Sequence, residues 1–407
     1  MKSSYYIKME ERHGAHNYHP LDVVLSRGRG VWVWDVDDKK YMDFLSAYSA
    51  VNQGHCHPKI IKALQEQAGL LTLTSRAFYN NQLGEFEKFI TGLLGYDKVL
   101  PMNTGAEGFE TAVKLARKWA YKIKGIPTDQ AKIIVAEGNF HGRTMAAVSA
   151  STDPDCRNEF GPFLPGFETI PYNDITALEK ALRQPHIAGF LVEPIQGEAG
   201  VVVPDEGYLA QAARLCKSNN VLLICDEVQT GLCRTGKMLA ADYEKVKGDI
   251  LILGKALSGG TLPISAVLAS DEIMLTIKAG EHGSTFGGNP LASRVAIAAL
   301  QVLIKEKLAE NAFKLGNIFR REIRKLMPKY DFVTAVRGKG LLNAVIIKPL
   351  AENKTAWEFC QQLKSLGVLA KPTHGDKIRF APPLVLSEKG LYWALDRIEK
   401  TMNSFAK

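Results

Sequence analysis

Two side chains of opposite chemistry close two apolar runs. Val221-Leu222-Leu223-Ile224-Cys225 ends in Asp226-Glu227, and Ile250-Leu251-Ile252-Leu253 ends in Gly254-Lys255. Short runs of branched aliphatics read as strands covered on both faces of a parallel sheet. A carboxylate and an amine therefore fall at the carboxyl ends of strands, where open α/β sheets bind their ligands. A lysine so placed can form a Schiff base, and an aspartate can keep a pyridine nitrogen protonated. Pyridoxal phosphate chemistry requires both. The same pair also reads as a salt bridge or as solvated strand ends, the commoner meaning of two such residues alone.

Other segments carry chemistry with a similar ambiguity. Asn103-Thr104-Gly105-Ala106-Glu107 opens a helix whose apolar positions Phe109, Ala112, Val113, Ala116 and Ala120 recur at helical spacing. Unpaired N–H groups at such a start make an anion site, or belong to an ordinary capped helix. Gly108 in the first turn costs ~1 kcal/mol or less relative to alanine. Phe140, in Asn139-Phe140-His141-Gly142-Arg143, follows a strand ending near Glu137. An aromatic there either stacks on a pyridine ring or belongs to the core. Arg143 and Arg379 could each grip a carboxylate in two-pronged fashion, which lysine cannot copy, although most arginines are simply surface residues. Ser284-Thr285-Phe286-Gly287-Gly288-Asn289-Pro290 reads from composition as a polar loop. His55-Cys56-His57 lacks a matching pair at zinc-ligand spacing, so no metal is expected.

The elements that must position these residues alternate along the chain. Trp32 to Asp35 and Lys40 to Asp43 read as short strands around a polar turn, and Pro58 starts a helix reaching Ala68. Between about 98 and 270, strand candidates Lys132 to Ala136, Gly189 to Glu193, Val221 to Asp226, Ile250 to Gly254 and Ile264 to Ala269 alternate with helices such as Gly207 to Ser218. That alternation predicts an α/β fold with a mainly parallel sheet. Beyond Pro290 come two amphipathic helices, Leu291 to Lys305 and Asn311 to Leu326, then short strands with turns at Gly338-Lys339-Gly340 and His374-Gly375-Asp376. We expect a large domain over 49–290, a smaller α/β domain over 291–407, and a segment 1–48 packing with the smaller one.

The bulk numbers bound the alternatives. The chain has 407 residues, 46% of them hydrophobic, enough for a large core. No run approaches the roughly 18 consecutive apolar residues of a membrane helix. The charge of +8 is dispersed, so neither nucleic acid nor membrane is an expected partner. Six irregularly spaced cysteines favour a reducing compartment. The first twelve residues have neither a signal core nor a transit pattern, which reads as cytoplasmic, with the mitochondrial matrix open if a presequence has been removed.

Taken together, the segments around Gly105, Asp226 and Lys255, with His16-Asn17-Tyr18-His19-Pro20 and Arg379-Phe380-Ala381-Pro382-Pro383, resemble the class III, or ornithine-type, aminotransferases over nearly the whole chain. The resemblance implies the pyridoxal-phosphate fold type I. It implies a cofactor linked to Lys255, with Asp226 on the ring nitrogen, Phe140 on the ring face and Gln229 on the phenolic oxygen. Gly105 and Ala106 would hold the phosphate, and Thr285 would reach the phosphate of the other subunit in a homodimer with shared sites. Arg143, Tyr18 and Tyr48 would bind substrate, with Glu198 masking Arg379 until a second carboxylate arrives. Lys255 would also carry the proton between substrate and cofactor.

Tyr48-Ser49-Ala50-Val51-Asn52-Gln53-Gly54-His55 and Arg337-Gly338-Lys339-Gly340-Leu341-Leu342 resemble the ornithine δ-aminotransferases within that class. The implied reaction moves the δ-amino group of L-ornithine to 2-oxoglutarate, giving glutamate semialdehyde and glutamate. Other members of the class, acting on acetylornithine, 4-aminobutyrate or lysine, are the alternative. A nicotinamide enzyme is disfavoured by the lack of a G-x-G-x-x-G after a first strand, and a non-catalytic binding protein by the intact Lys255 and Asp226. Cys225 and Cys233 read as small packing residues, with Cys233 a candidate for oxidation if exposed.

Overall fold

The computed structural model describes residues 2–352, 354–373 and 375–406. The turn expected at His374-Gly375-Asp376 therefore begins outside the described residues. Three sheets organise the described residues. Strands β1 (Leu25–Arg29), β2 (Trp32–Asp35) and β3 (Lys40–Asp43) form an antiparallel meander near the N-terminus. The central sheet contains β4 (Lys98–Met102), β5 (Lys132–Ala136), β6 (Phe167–Ile170), β7 (Ile187–Val192), β8 (Leu222–Asp226), β9 (Ile250–Leu253) and β10 (Ser265–Ala269). Its order is β4-β10-β9-β8-β7-β5-β6, parallel except for β10, which runs antiparallel to both neighbours.

Burial explains why these segments are strands. Every residue of β7, β8, β9 and β10 is buried, as expected of branched aliphatic runs with helices on both faces. One face packs on the helix Gly105–Trp119 through Phe109, Ala112 and Ala116. The other belongs to a core that continues through the helices Tyr208–Ser218, Pro290–Lys305 and Leu308–Leu326. Gly108 has a packing reason: a Cβ there would come 2.8 Å from a methyl of Ile252 on β9, so only glycine lets the helix lie this close. The helix-propensity cost expected at that position is outweighed by the overlap a methyl group would introduce.

The C-terminal third adds β11 (Val333–Lys339), β12 (Leu342–Ile347), β13 (Val368–Leu369), β14 (Lys371–Thr373) and β15 (Lys377–Phe380). One four-stranded sheet runs β11-β12-β15-β14, while β13 joins the N-terminal meander by pairing in parallel with β3, Val368 opposite Met42. The helix Pro290–Lys305 packs on the helices Pro58–Ala68 and Leu83–Leu94, whereas Leu308–Leu326 packs on β11 and on the C-terminal helix Glu388–Phe405. Arg234, fully buried, ties the three regions together. Its guanidinium donates to Asn52 Oδ1 at 2.5 and 3.1 Å, to Leu341 O at 3.0 Å and to Pro382 O at 2.7 Å.

The histidines around Cys56 have partners of their own: His55 meets Asp43 at 2.7 Å and His57 meets Glu306 at 3.2 Å. Cys233 is the packing residue expected, and the exposure that would have made it a candidate for oxidation is not found. It is buried, and burial pushes the thiol up to about 12, because the closely packed turn at 232–236 leaves it no access to solvent. Among the described residues no helix is long and apolar enough to cross a membrane.

Candidate active site

A cavity of about 180 Å³ opens at the carboxyl end of the central sheet, lined by Gly105, Ala106, Phe140, Asp226, Gln229 and Lys255 among others. Each of these six was expected from sequence, and strand ends bring them together. Asp226 is the last residue of β8, and Lys255 follows β9 after one glycine. Lys255 has φ +43°, a left-handed conformation that is uncommon for a lysine and costs of order 1–3 kcal/mol. It sits at the head of a 3₁₀ turn ending at Ser258, which aims the amine into the cavity wall. Burial lowers that amine below the ordinary lysine value, against the opposing pull of the Glu198 and Asp226 carboxylates. A depressed amine supplies the free base that attack on a carbonyl needs.

The anion end of the cavity is a capped helix as well as an open one. Thr104 Oγ1 accepts from Glu107 N at 3.1 Å, and Glu107 Oε2 accepts from Thr104 N at 2.9 Å and Asn103 N at 2.7 Å. This reciprocal cap leaves the Gly105 and Ala106 amides out of the box and facing the cavity. Crowding then fixes the residue types. A Cβ on Gly105 would meet Val228 at 2.9 Å, and one on Gly142, at φ +125°, would meet Ala106 at 2.7 Å.

Four lining residues were not anticipated: Gly142 and Val228, which crowd the helix start, and His141 and Glu193, which are polar. His141 Nδ1 lies 2.7 Å from Asp226 Oδ2, and its ring stacks on Phe109 with centroids 5.1 Å apart. Asp226 Oδ1 accepts from Val228 N at 3.0 Å, so the carboxylate is held from two sides. Glu193 follows β7, beside Asp226, and is buried. Burial pushes its carboxyl up to about 7, with His141 and the N–H groups of Phe140 and Gly197 pulling down and Asp226 pushing up. The signal was present: Glu193, like Asp226, is a carboxylate at the end of a wholly apolar run.

Beside this cavity lies a second group. Arg379, on β15, donates from Nη1 to Glu198 Oε2 at 2.5 Å and from Nη2 to Glu198 Oε1 at 3.1 Å. Nη1 also reaches Gln229 Oε1 at 3.3 Å, which joins this pair to the cavity. Gly197 makes room for that amide: a Cβ there would fall 2.0 Å from Gln229 Oε1. Burial works to raise the Glu198 carboxyl, but the charge and hydrogen bonds of Arg379 bring it below the usual carboxylate range. The guanidinium also sits 4.7 Å over the Tyr48 ring.

Tyr48 is delivered by unusual backbone. Ser46, Ala47, Tyr48 and Ser49 have φ of 49, 45, 59 and 75°, one left-handed turn made without glycine. Such a turn costs about 1–2 kcal/mol per residue. Asp43 Oδ1 holds its start by accepting from Leu45 N and Ser46 N at 2.8 and 2.9 Å.

Three expected residues are not gathered by the single chain. Tyr18 is 72% exposed, although close enough to Tyr48 for its phenol to act on it. Arg143 is exposed, its guanidinium 5.9 Å from the Phe140 ring centroid. Thr285 is exposed in a loop anchored by the Ser284 hydroxyl, which accepts from Asn103 Nδ2 at 2.8 Å.

The geometry can be set beside known proteins. The family model described as aminotransferase class-III matches residues 13–402. A mitochondrial ornithine aminotransferase of Rattus norvegicus is 61% identical over 403 residues, covering 99% of this chain and 91% of the relative. The ornithine aminotransferase structure from Toxoplasma gondii superposes with a TM-score of 0.97 at 50% identity, covering 99% of this chain and 96% of the other. A structure named acetylornithine aminotransferase, from Elizabethkingia anophelis, has a TM-score of 0.91 at 60% identity, covering 99% of this chain and all of the other.

Proposed function

This chain belongs to the class III aminotransferases, and on that premise we propose that it transfers the δ-amino group of L-ornithine to 2-oxoglutarate with pyridoxal phosphate as cofactor. The cavity fits that group. It combines a buried carboxylate, an amine of depressed basicity, an aromatic face and two helix-start amides within one space. Lys255 would hold the cofactor covalently and Asp226 its ring nitrogen, with Phe140 and Val228 against the ring, Gln229 at the phenolic oxygen and Gly105 and Ala106 at the phosphate. When bound, the cofactor supplies an electron sink for the bond to nitrogen-bearing carbon. Lys255, once free, moves the proton at that carbon.

Substrate polarity falls to the remaining residues. Arg143 and Tyr18 take the α-carboxylate and α-amine of ornithine and so direct the δ-amine to the cavity. Glu198 keeps Arg379 occupied in that half-reaction. In the next, the α-carboxylate of 2-oxoglutarate replaces Glu198 on Arg379. The observation that carries this reading is the two-pronged Arg379–Glu198 pair joined through Gln229 to the cavity. One guanidinium with an exchangeable partner lets a single pocket take both a diamino acid and a dicarboxylate.

The active assembly is a homodimer in which Thr285 serves the partner subunit's phosphate. Exposed Leu70, Phe78, Tyr79 and Phe286 supply apolar surface for that contact. Six free cysteines support a reducing compartment, the cytoplasm or the mitochondrial matrix. The likeness to a protein named for acetylornithine favours a second reading, in which the donor is N-acetylornithine. Absorbance of the cofactor-loaded protein, roughly near 420 nm for a lysine-bound pyridoxal group, separates the two. Loss of the band on adding ornithine, with no response to N-acetylornithine, is the expected result. The reverse order of response overturns the ornithine assignment.

A further inference from the structure

The helix Gly105–Trp119 presents its first amides to the cavity, and along its length it carries a loop that the chemistry above leaves unexplained. Residues 278–289 contain no helix or strand, so side-chain contacts set their path. Glu281 pairs with Lys118, His282 meets Lys114 and Thr111, and Ser284 meets Asn103. Each later loop residue touches an earlier residue of the other segment, so the loop is laid along the helix toward its N-terminus. Thr285 comes next and is exposed, with Gly287 N donating to Ser284 Oγ at 3.1 Å just beyond it.

Of these anchors His282 has the most constrained chemistry. Thr111 Oγ1 lies 2.7 Å from Glu107 O, the carbonyl one turn back, and spends its single proton there. It can therefore only accept from His282 Nε2–H, at 2.8 Å. Lys114 Nζ, an ammonium with donors only, lies 2.9 Å from His282 Nδ1, which must then offer a lone pair. The two contacts select one tautomer, neutral and protonated at Nε2. Burial and the Lys114 charge lower the imidazole below its ordinary value, with Glu107 pulling the other way, which agrees with that form. Thr111 is fully buried, whereas the Lys118–Glu281 pair is partly exposed and screened by water.

We propose that His282 is a positioning residue that pins the loop of Thr285 to the helix Gly105–Trp119 and so aims the Thr285 hydroxyl at the partner subunit's phosphate. The proposal rests on the dimer reading above, in which Thr285 serves that phosphate. One imidazole supplies a donor and an acceptor at fixed separation, so it fixes the loop both along the helix and around it. Without it the loop keeps the Asn103–Ser284 contact and the screened ion pair, and the hydroxyl loses its aim.

Calorimetry of pyridoxamine 5′-phosphate and of pyridoxamine binding to the cofactor-free dimer isolates the share of affinity that the phosphate supplies. Neither ligand makes a covalent bond to Lys255. His282→Ala is expected to weaken the phosphorylated ligand about tenfold or more, the size of one hydrogen bond to a charged group, and pyridoxamine less than about twofold. His282→Gln offers an amide donor and a carbonyl acceptor, and should return the phosphorylated ligand to within about threefold of wild type. Equal losses for both ligands, or no loss for either, overturn the proposal, and so does a glutamine variant no better than alanine. Should His282→Ala fail to fold, Thr111→Val, which keeps the shape but removes the acceptor, is held to the same limits. Thr285→Ala separates the proposal from the reading it rests on. A phosphate-specific loss there without one in His282→Ala overturns the pin alone. No loss in Thr285→Ala removes the shared-site reading, and the pin with it.

Discussion

Replacing Glu198 by glutamine keeps the volume of the side chain but removes the charge that occupies Arg379. Arg379 is 4% exposed and Glu198 25%, so water screens the pair only on one side. Two unit charges about 4 Å apart at an effective dielectric of 20 attract by about 4 kcal/mol. An incoming α-carboxylate recovers part of that when it takes the place of Glu198. The net handicap is therefore smaller, of the order of one charge-assisted hydrogen bond, about 1.5–3 kcal/mol. In Glu198→Gln the handicap disappears, while the Tyr48 face keeps the guanidinium in place. Glutamate used as amino donor should then gain about 10- to 150-fold in kcat/KM relative to ornithine. Single-turnover kinetics with each donor give this ratio free of the second substrate. A change of less than about threefold, which is under 1 kcal/mol, would refute the masking role of Glu198.

Lys255→Ala should lose transamination in assays without added amines yet keep its circular dichroism spectrum, and retention of even a few per cent of turnover would remove the assignment. Mixing Lys255→Ala with Thr285→Ala chains should restore activity above either parent, because each heterodimer contains one site with neither lesion. Verified subunit exchange without recovery contradicts a shared site. Glu193 and Glu227 are both pushed up to about 7 by burial, against 4.5 for an ordinary glutamate. The folded chain therefore binds protons that the unfolded chain has released, and these groups make stability fall as pH rises from about 4.5 to about 7. The loss is at most ~3 kcal/mol per group. Urea unfolding of the cofactor-free protein at pH 5 and 7.5 should show a smaller drop in Glu193→Gln than in wild type, and identical drops would disprove the contribution.

Legibility in sequence followed the range of the interaction. Trp32 to Asp35 and Lys40 to Asp43 were readable to the residue because alternation and the polar turn between them are local signals. The helix beginning at Leu308 was read three residues late, since its start at Lys307 lies in a left-handed conformation and offers no side-chain cap. Asp226 and Lys255 were found because each ends an apolar run. His141 escaped because its meaning lies in a contact with Asp226, 85 positions away. The turn at 46–49 was illegible for a different reason: left-handed backbone is announced by glycine, and none is present. Its conformation is imposed by Asp43 and by packing against the turn that bears Lys255.

The pairing of β3 with β13 also has a consequence for the order of synthesis. Met42 is made early, and its partner Val368 emerges about 330 residues later. At ~5–20 residues per second the edge of β3 stays open for roughly 16–65 s on the ribosome. Arg234 waits too, since Leu341 and Pro382 supply two of its acceptors. The central sheet, complete by Ala269, can close long before then. A nascent chain halted near residue 340 should therefore be cut by protease within 25–50 while its 98–270 region resists. Equal resistance of the two regions in that halted chain would mean the N-terminal strands are protected without β13. The beginning of this chain becomes structure only when its end is made.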